Sequence, residues 1–462
     1  MTEPSNASHK TPIKQDISNT NENSQDCDIL SIRNNKSKTK YILEVRVSDP
    51  QKIHGDRGSS GSYVSYQIST KTNNPSYHTS NFKNNQDTTK VDYDMDKIIV
   101  VHRRYSDLLL LQEILYNDHP TCIIPPLPDK KVFQYIAGDR FSQRFTQKRC
   151  HSLQKFLRRI ACHPILSESN VLRMFLTSDD WEAYKKNLAK VLPSTKEEVT
   201  DSFMNAFKSV HNQSEEFVEV KEKNDRLNHT IIKLDKIFHK IIKKNDFISE
   251  DFSKLGTNLQ ELNDLIKRNQ ESGECNINDS NDEKLSQNLK SFTNGIIQLS
   301  YGLSDLNKYL DYEYVVDLKS LEHFIDSMRQ LVKLKDQKQI DYEELNEYLT
   351  KAVKMRDNLI SGYGGTNFFT NKLEEMAGIN QESVRREKIN KLENKINSLN
   401  NELESAKKIA DAFEKETLKE IKLFEETKTK ELKESLGSLA DNHIKFYEKM
   451  LETWTEIDAN LK

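Results

Sequence analysis

The sequence predicts two kinds of structure in series: an α+β domain with a small antiparallel sheet and helices, followed by an all-α, elongated three-helix rod. Three observations carry this expectation. All ten prolines of the 462 residues lie at or before Pro193, so long unbroken helices are favoured only beyond that point. From Phe203 to Ile266 residues recur at a three-four spacing, and sixteen of those nineteen positions are apolar, with Gln213, Asn224 and Asn245 as the exceptions. Before Pro193, short runs rich in β-branched and aromatic residues are bounded by turn residues.

Residues 1–37 are polar and aperiodic, which predicts a disordered arm whose serines and threonines are open to phosphorylation. YILEVRV (41–47), YVSYQIS (63–69) and KIIVVH (97–102) predict three strands, with the polar insert 71–96 as a long loop. A helix over about 107–118 is expected to open at Ser106 or Asp107. Pro125, Pro126 and Pro128 then force an extended path. Helices over about 140–162 and 167–190 complete a domain spanning 38–180, with 181–202 as a linker.

The rod is expected to fill 203–462. A helix from Phe203 to Ile266 would span about 95 Å at about 1.5 Å per residue, so it needs partners of similar length. After a polar loop at 267–283, a second helix is predicted from Leu285 to Ile360. SGYGGTN (361–367) is a helix-breaking turn, and a third helix runs to the C-terminus. Three such helices carry more apolar surface than one antiparallel triplet covers, especially near Phe446, Trp454 and Ile457, which predicts a dimer. A monomeric spectrin-like rod is the alternative.

Composition narrows the function. Hydrophobic residues make up 35% and charged residues 31%, too polar for one large core. No apolar run reaches membrane-span length and no signal-peptide core is present, so a soluble intracellular chain is expected. Five cysteines show neither a C-x-x-C pair nor metal spacing, so neither zinc nor a disulfide framework is expected. Nucleotide-binding glycine loops, nucleophile elbows and H-E-x-x-H are absent, which argues against an enzyme and against any cofactor.

The informative stretch runs from VVHRRYSDLLLL through IIPPLPDKK to QKRCHSLQKFLRRI. Residues 101–163 hold eleven Lys and Arg against five acids, in a chain of formal charge −3. Guanidinium groups bind phosphate through paired hydrogen bonds, and a proline corner holds Lys130 at fixed reach, so Arg104, Lys130 and Arg149 suit a polyphosphorylated ligand. Ser106 is equally an N-cap or a ligand contact. Lys131, Lys148, Arg158 and Arg159 are expected as general surface charge. Phe133, Tyr135 and Ile136 are either core or a membrane wedge. Lys233, Lys236, Lys240 and Lys243 repeat at three-four spacing on one helix face, and Lys333, Lys335, Lys338 and Arg385, Arg386, Lys388 form two further clusters. A solvated face is the plain reading of each, and a concave surface meeting anionic lipid the alternative. No nucleic-acid reading element is present, so no nucleic-acid partner is expected.

The spacing R-Y-S-D, P-P-L-P-x-K and R-x3-L-x2-F-L resembles the PX domain. Together with SDPQK, YVSYQISTKTNN, KKVFQYIAGDRFSQRFTQKRCHSLQ and KLKDQKQIDYEEL, the chain from 41 to 462 resembles the fungal PX-BAR sorting nexins. The resemblance implies that the rod is a curved BAR domain. It also implies that Arg104 meets the 3-phosphate of phosphatidylinositol 3-phosphate, Tyr105 stacks under the inositol and Ser106 donates to phosphate. Lys130 would reach the 1-phosphate, Arg149 the 4- and 5-hydroxyls, and Phe133, Tyr135 and Ile136 would enter the membrane. Implied partners are an anionic membrane surface, a second copy or another PX-BAR nexin, and transmembrane cargo. Implied roles are endosome-to-Golgi retrieval and selective autophagy, with the chain peripheral on endosomes and the preautophagosomal structure. A coiled-coil tether without curvature activity is the competing reading.

Overall fold

A computed structural model describes residues 41–54, 61–77, 98–128, 141–191, 214–271, 279–361 and 381–461. β1 (Leu43–Ile53), β2 (Tyr63–Thr72) and β3 (Ile99–Arg104) form one antiparallel sheet in the order β1-β2-β3. Alternation along the strands buries Val45, Val47, Tyr66, Ile68 and Val101 on one face. A register shift between Ser48 and Gln51 surrounds Asp49, whose φ of 47° is the left-handed conformation that aspartate tolerates best among non-glycine residues after asparagine.

α1 (Tyr105–Asp118) follows β3 without a loop. Arg104, not Ser106 or Asp107, is the flanking residue, and its backbone N–H donates to the Asp107 carboxylate at 3.0 Å. Ser106 is therefore no N-cap; it is exposed in the first turn. α2 (Gln143–Cys162) is capped by Ser142, whose hydroxyl accepts from the Phe145 N–H. The single helix expected near 167–190 is instead α3 (Asn170–Thr177) and α4 (Trp181–Val191). Leu108, Leu111, Leu153, Phe156, Leu157 and Phe175 form the centre of the core. Trp181 meets Phe175 edge-on at 5.2 Å and stacks on Tyr184, so α4 belongs to this packing.

The rod consists of α5 (Glu215–Glu271), α6 (Asp279–Tyr309), a π-turn (Leu310–Tyr314), α7 (Val315–Ile360) and α8 (Gln381–Leu461). α6 and α7 run on through the π-turn as the second long helix. Arg385 donates to the carbonyls of Leu359 and Ile360, 2.7 Å each, which satisfies the C-terminal end of α7. Lys335, expected on the surface, is buried over the Phe217 ring and pairs with Asp336 at 3.0 Å.

The three-four stripe on α5 divides. Phe217 and Ile231 are buried, but further along the buried positions are Ile242, Ser249, Gly256 and Asn263, one residue behind the predicted set. Small and polar side chains there let α6 come close. The Ser249 and Ser300 hydroxyls each donate to the other's backbone carbonyl, at 2.9 and 2.7 Å, and Ser286 donates to Asn263 at 2.7 Å. A Cβ on Gly256 would lie 2.6 Å from Ile297. Ile241, Ile248, Leu255 and Leu262 are left exposed at seven-residue intervals. On α8, Ile457 is buried within the chain where Gly295 leaves room for it and Phe446 is half-buried, while Trp454 is exposed, together with Ile444, Tyr447 and Leu451.

The basic face of α2 docks the α+β domain onto the rod. Arg144 and Lys148 both meet Asp311 at 2.7 Å, and Asp311 sits in the π-turn. His151 and Lys155 meet Asp317 at 2.6 and 3.2 Å. Arg159 forms a two-pronged pair with Glu431 at 2.7 and 2.9 Å, and Arg158 meets Glu434 at 3.2 Å. Lys148, Arg158 and Arg159 are thus interface cations rather than general surface charge, with Lys148 and Arg159 buried, because the rod supplies an acid opposite each. Lys131 lies outside the described residues.

Candidate functional site

The strand pleat sends Arg103 inward and Arg104 outward. Arg103 is 4% exposed and donates to the carbonyls of His102, Phe175 and Ser178, with its guanidinium near the Phe175 and Trp181 rings. Burial lowers its pKa to about 10, against the charges of Asp107 and Asp179. It locks α3 and the start of α4 to β3, and no part of it is free for a ligand. Arg104 has a half-open side chain, 43% exposed, facing Asp107 at 3.5 Å, Glu182 at 3.4 Å and the Tyr63 ring at 5.9 Å.

Tyr105 opens α1, and its hydroxyl donates to the carbonyl of Pro128, which ties the proline corner to the helix start. The Arg149 guanidinium lies 4.3 Å from the centres of both the Tyr105 and Phe145 rings. Such cation–ring contacts hold a charge in place without neutralising it. Among the described residues Arg149 has no acidic partner, and its Nε and the Tyr66 Oη are buried with no hydrogen-bond partner apart from each other's side chain. Burial pushes the Tyr66 phenol above its ordinary range, with Arg149 pulling the other way.

The structure thus brings Arg149 onto Tyr105, with Ser106 exposed in the next position, where α1's first turn presents backbone N–H groups and the positive end of its dipole. It turns Arg104, one residue earlier, toward Glu182. Lys130, Phe133, Tyr135 and Ile136 lie outside the described residues.

Sequence reasoning missed the contacts that join domain to rod. One of them unites Cys122, His163 and Glu420, whose side-chain donor atoms lie within 4.8 Å of one another, although their sequence spacing suggests nothing. The His163 Nδ1 accepts from the N–H groups of Ile165 and Leu166, so its Nε2 carries the proton and donates to Glu420 at 3.1 Å. Glu420 also accepts from the Ile123 N–H at 3.0 Å. Burial, reinforced by Glu420, pushes the Cys122 thiol up to about 12. A metal on Nε2 would displace that proton and leave an anionic ring, so this cluster is a hydrogen-bonded latch between domain and rod rather than a ligand set.

Residues 92–179 match the PX domain family. The fold follows the cryo-EM structure of the SNX-BAR Mvp1 tetramer with a TM-score of 0.52 at 17% identity, over 89% of this chain and 99% of that one. Sheet, proline corner and three-helix rod together define the PX-BAR class of fold. The chain is 64% identical to sorting nexin-4 of Saccharomyces cerevisiae over 429 residues, 93% of this chain and 96% of that relative. It is also 59% identical to sorting nexin-4 of Candida glabrata (91% and 93% covered) and 56% identical to that of Eremothecium gossypii (90% and 97%). The chain belongs to the sorting nexin-4 family.

Proposed function

We propose that this chain binds phosphatidylinositol 3-phosphate on endosomes at Arg104, Tyr105, Ser106 and Arg149, joined by Lys130. On this reading it acts as one half of a BAR dimer that senses or generates curvature during endosome-to-Golgi retrieval of transmembrane cargo and selective autophagy. The observation that carries the binding site is Arg149. A guanidinium held between two rings, with no acid beside it among the described residues, keeps its charge and hydrogen-bonding capacity for an anion. Arg104 adds a second guanidinium that can exchange Glu182 for phosphate, and Ser106 adds a hydroxyl at a helix start. Phe133, Tyr135 and Ile136 follow the proline corner in sequence and would add apolar insertion beside the headgroup.

Pairing of two rods is supported by the exposed stripe Ile241, Ile248, Leu255 and Leu262, with Tyr447 and Leu451 on α8. A seven-residue apolar repeat left uncovered by the chain's own helices fits the seam of a second rod, either the same chain or another PX-BAR nexin. Two headgroup sites on one dimer raise membrane avidity by about 10² to 10⁴ over a single site. No helix among the described residues is long and apolar enough to cross a membrane, which suits attachment through headgroup and surface.

Calorimetric titration with soluble dibutanoyl phosphatidylinositol 3-phosphate tests the site. Arg149→Ala is expected to weaken binding by about ten- to a hundredfold, the loss of one charge-assisted contact pair. Unchanged affinity would remove Arg149 from the site.

A further inference from the structure

A cavity of about 450 Å³ lies where the proline corner meets the rod. Its walls come from three parts of the chain: Leu127 and Pro128 of the corner, Val315 and Val316 at the start of α7, and Lys236 and Lys240 of α5. The volume falls within the range of small-molecule sites, which are mostly apolar with a few polar groups that fix orientation. The lysine stripe of α5 is exposed along its length, yet only its two middle members line this hollow. Neither Lys236 nor Lys240 has an acidic partner among the described residues.

The other two lysines at the cavity are already engaged. Lys148 is held by Asp311 at 2.7 Å, Lys319 by Glu322 at 2.8 Å, and Asp235 faces His239 at 3.3 Å. The His239 Nδ1 lies 2.9 Å from the Asp235 backbone carbonyl, and the neighbouring carboxylate raises the His239 pKa, while the Asp235 Oδ1 is buried with no hydrogen-bond partner among the described residues. What remains is a pair of ammonium groups with no ion-pair partner among the described residues, beside an apolar wall. A merely solvated stripe needs no such wall.

We propose that this cavity is a second anion site, which takes a phosphate ester bearing an apolar portion: phosphate between Lys236 and Lys240, hydrocarbon against Leu127, Pro128, Val315 and Val316. It is separate from the Arg149 site but shares a wall with it, since the Pro128 carbonyl accepts from Tyr105 on the other side of the corner. A ligand seated here bears on the segment that leads to Lys130, so the two sites are placed to reinforce each other. The proposal stands whether or not the Arg149 site reads phosphoinositide.

The test is calorimetric titration of the full chain with dioctanoyl phosphatidic acid, kept monomeric, and with glycerol 3-phosphate, which has the same phosphate without the chains. Binding of the lipid is expected, made about tenfold weaker or worse by Lys236→Glu/Lys240→Glu and retained by Arg104→Ala. Both lysines are exposed, and a melting curve like wild type shows the double variant to be folded. Binding of the lipid well above that of glycerol 3-phosphate assigns the site to a phosphate ester with an apolar portion, whereas equal binding of both would show that the apolar wall takes no part and would overturn the proposal. Failure of wild type to bind the lipid, retention of binding by the folded lysine variant, or loss in Arg104→Ala would overturn it too.

Discussion

Arg103 and Arg104 share a guanidinium but not an environment, because a strand sends successive side chains to opposite faces. Replacing Arg103 by Met leaves the Phe175 and Ser178 carbonyls without their donor inside the core. The expected cost is about 3 kcal/mol in urea denaturation, against less than about 0.5 kcal/mol for Arg104→Ala. Glu182 competes with any anion for Arg104, so Glu182→Gln is expected to tighten headgroup binding about two- to threefold in the same calorimetric assay, while weaker binding would show that Glu182 positions the arginine instead. The R-R-Y-S motif shows that a guanidinium pair ends the strand. Which arginine is buried depends on the phase of the pleat, and a one-residue error in strand register reverses the assignment.

α2 acts as the clamp between domain and rod. Burial alone would raise the Asp311, Asp317 and Glu431 carboxyls, but Arg144 and Lys148, His151 and Lys155, and Arg159 respectively more than offset it, so all three lie below the ordinary carboxylate range. A depressed carboxylate stabilises the docked state fully above its unfolded pKa, and that stabilisation is lost as pH falls through the lowered folded value. Docking is therefore expected to hold from neutrality down to about pH 5 and to loosen below about pH 4, seen as faster hydrogen exchange in α2. Loosening that begins near pH 6 would point to histidine instead. Lys148, Arg158 and Arg159 were legible as charge on a basic helix and read as general surface charge. The acids opposite that helix were not, since Asp311, Asp317 and Glu431 lie far along the chain and only the fold sets them opposite.

The succession of an α+β domain and a helical rod was the most legible feature, because the end of proline usage and the start of the three-four repeat leave few alternatives. The division of α5 into an inner and an outer seam was not. Ser249, Gly256 and Asn263 read as a polar face, and only close approach to α6 makes them the covered one. Leu255→Asp/Leu262→Asp is expected to convert a dimer into a 53.8 kDa monomer by light scattering, with helicity unchanged. A wild-type chain that is monomeric at micromolar concentration would remove the seam's assigned role. The most direct measurement of the whole account is flotation with vesicles containing phosphatidylinositol 3-phosphate: wild type should rise with the vesicles, and Arg104→Ala, still folded and still paired through α5, should remain at the bottom. Flotation of Arg104→Ala equal to wild type would contradict it.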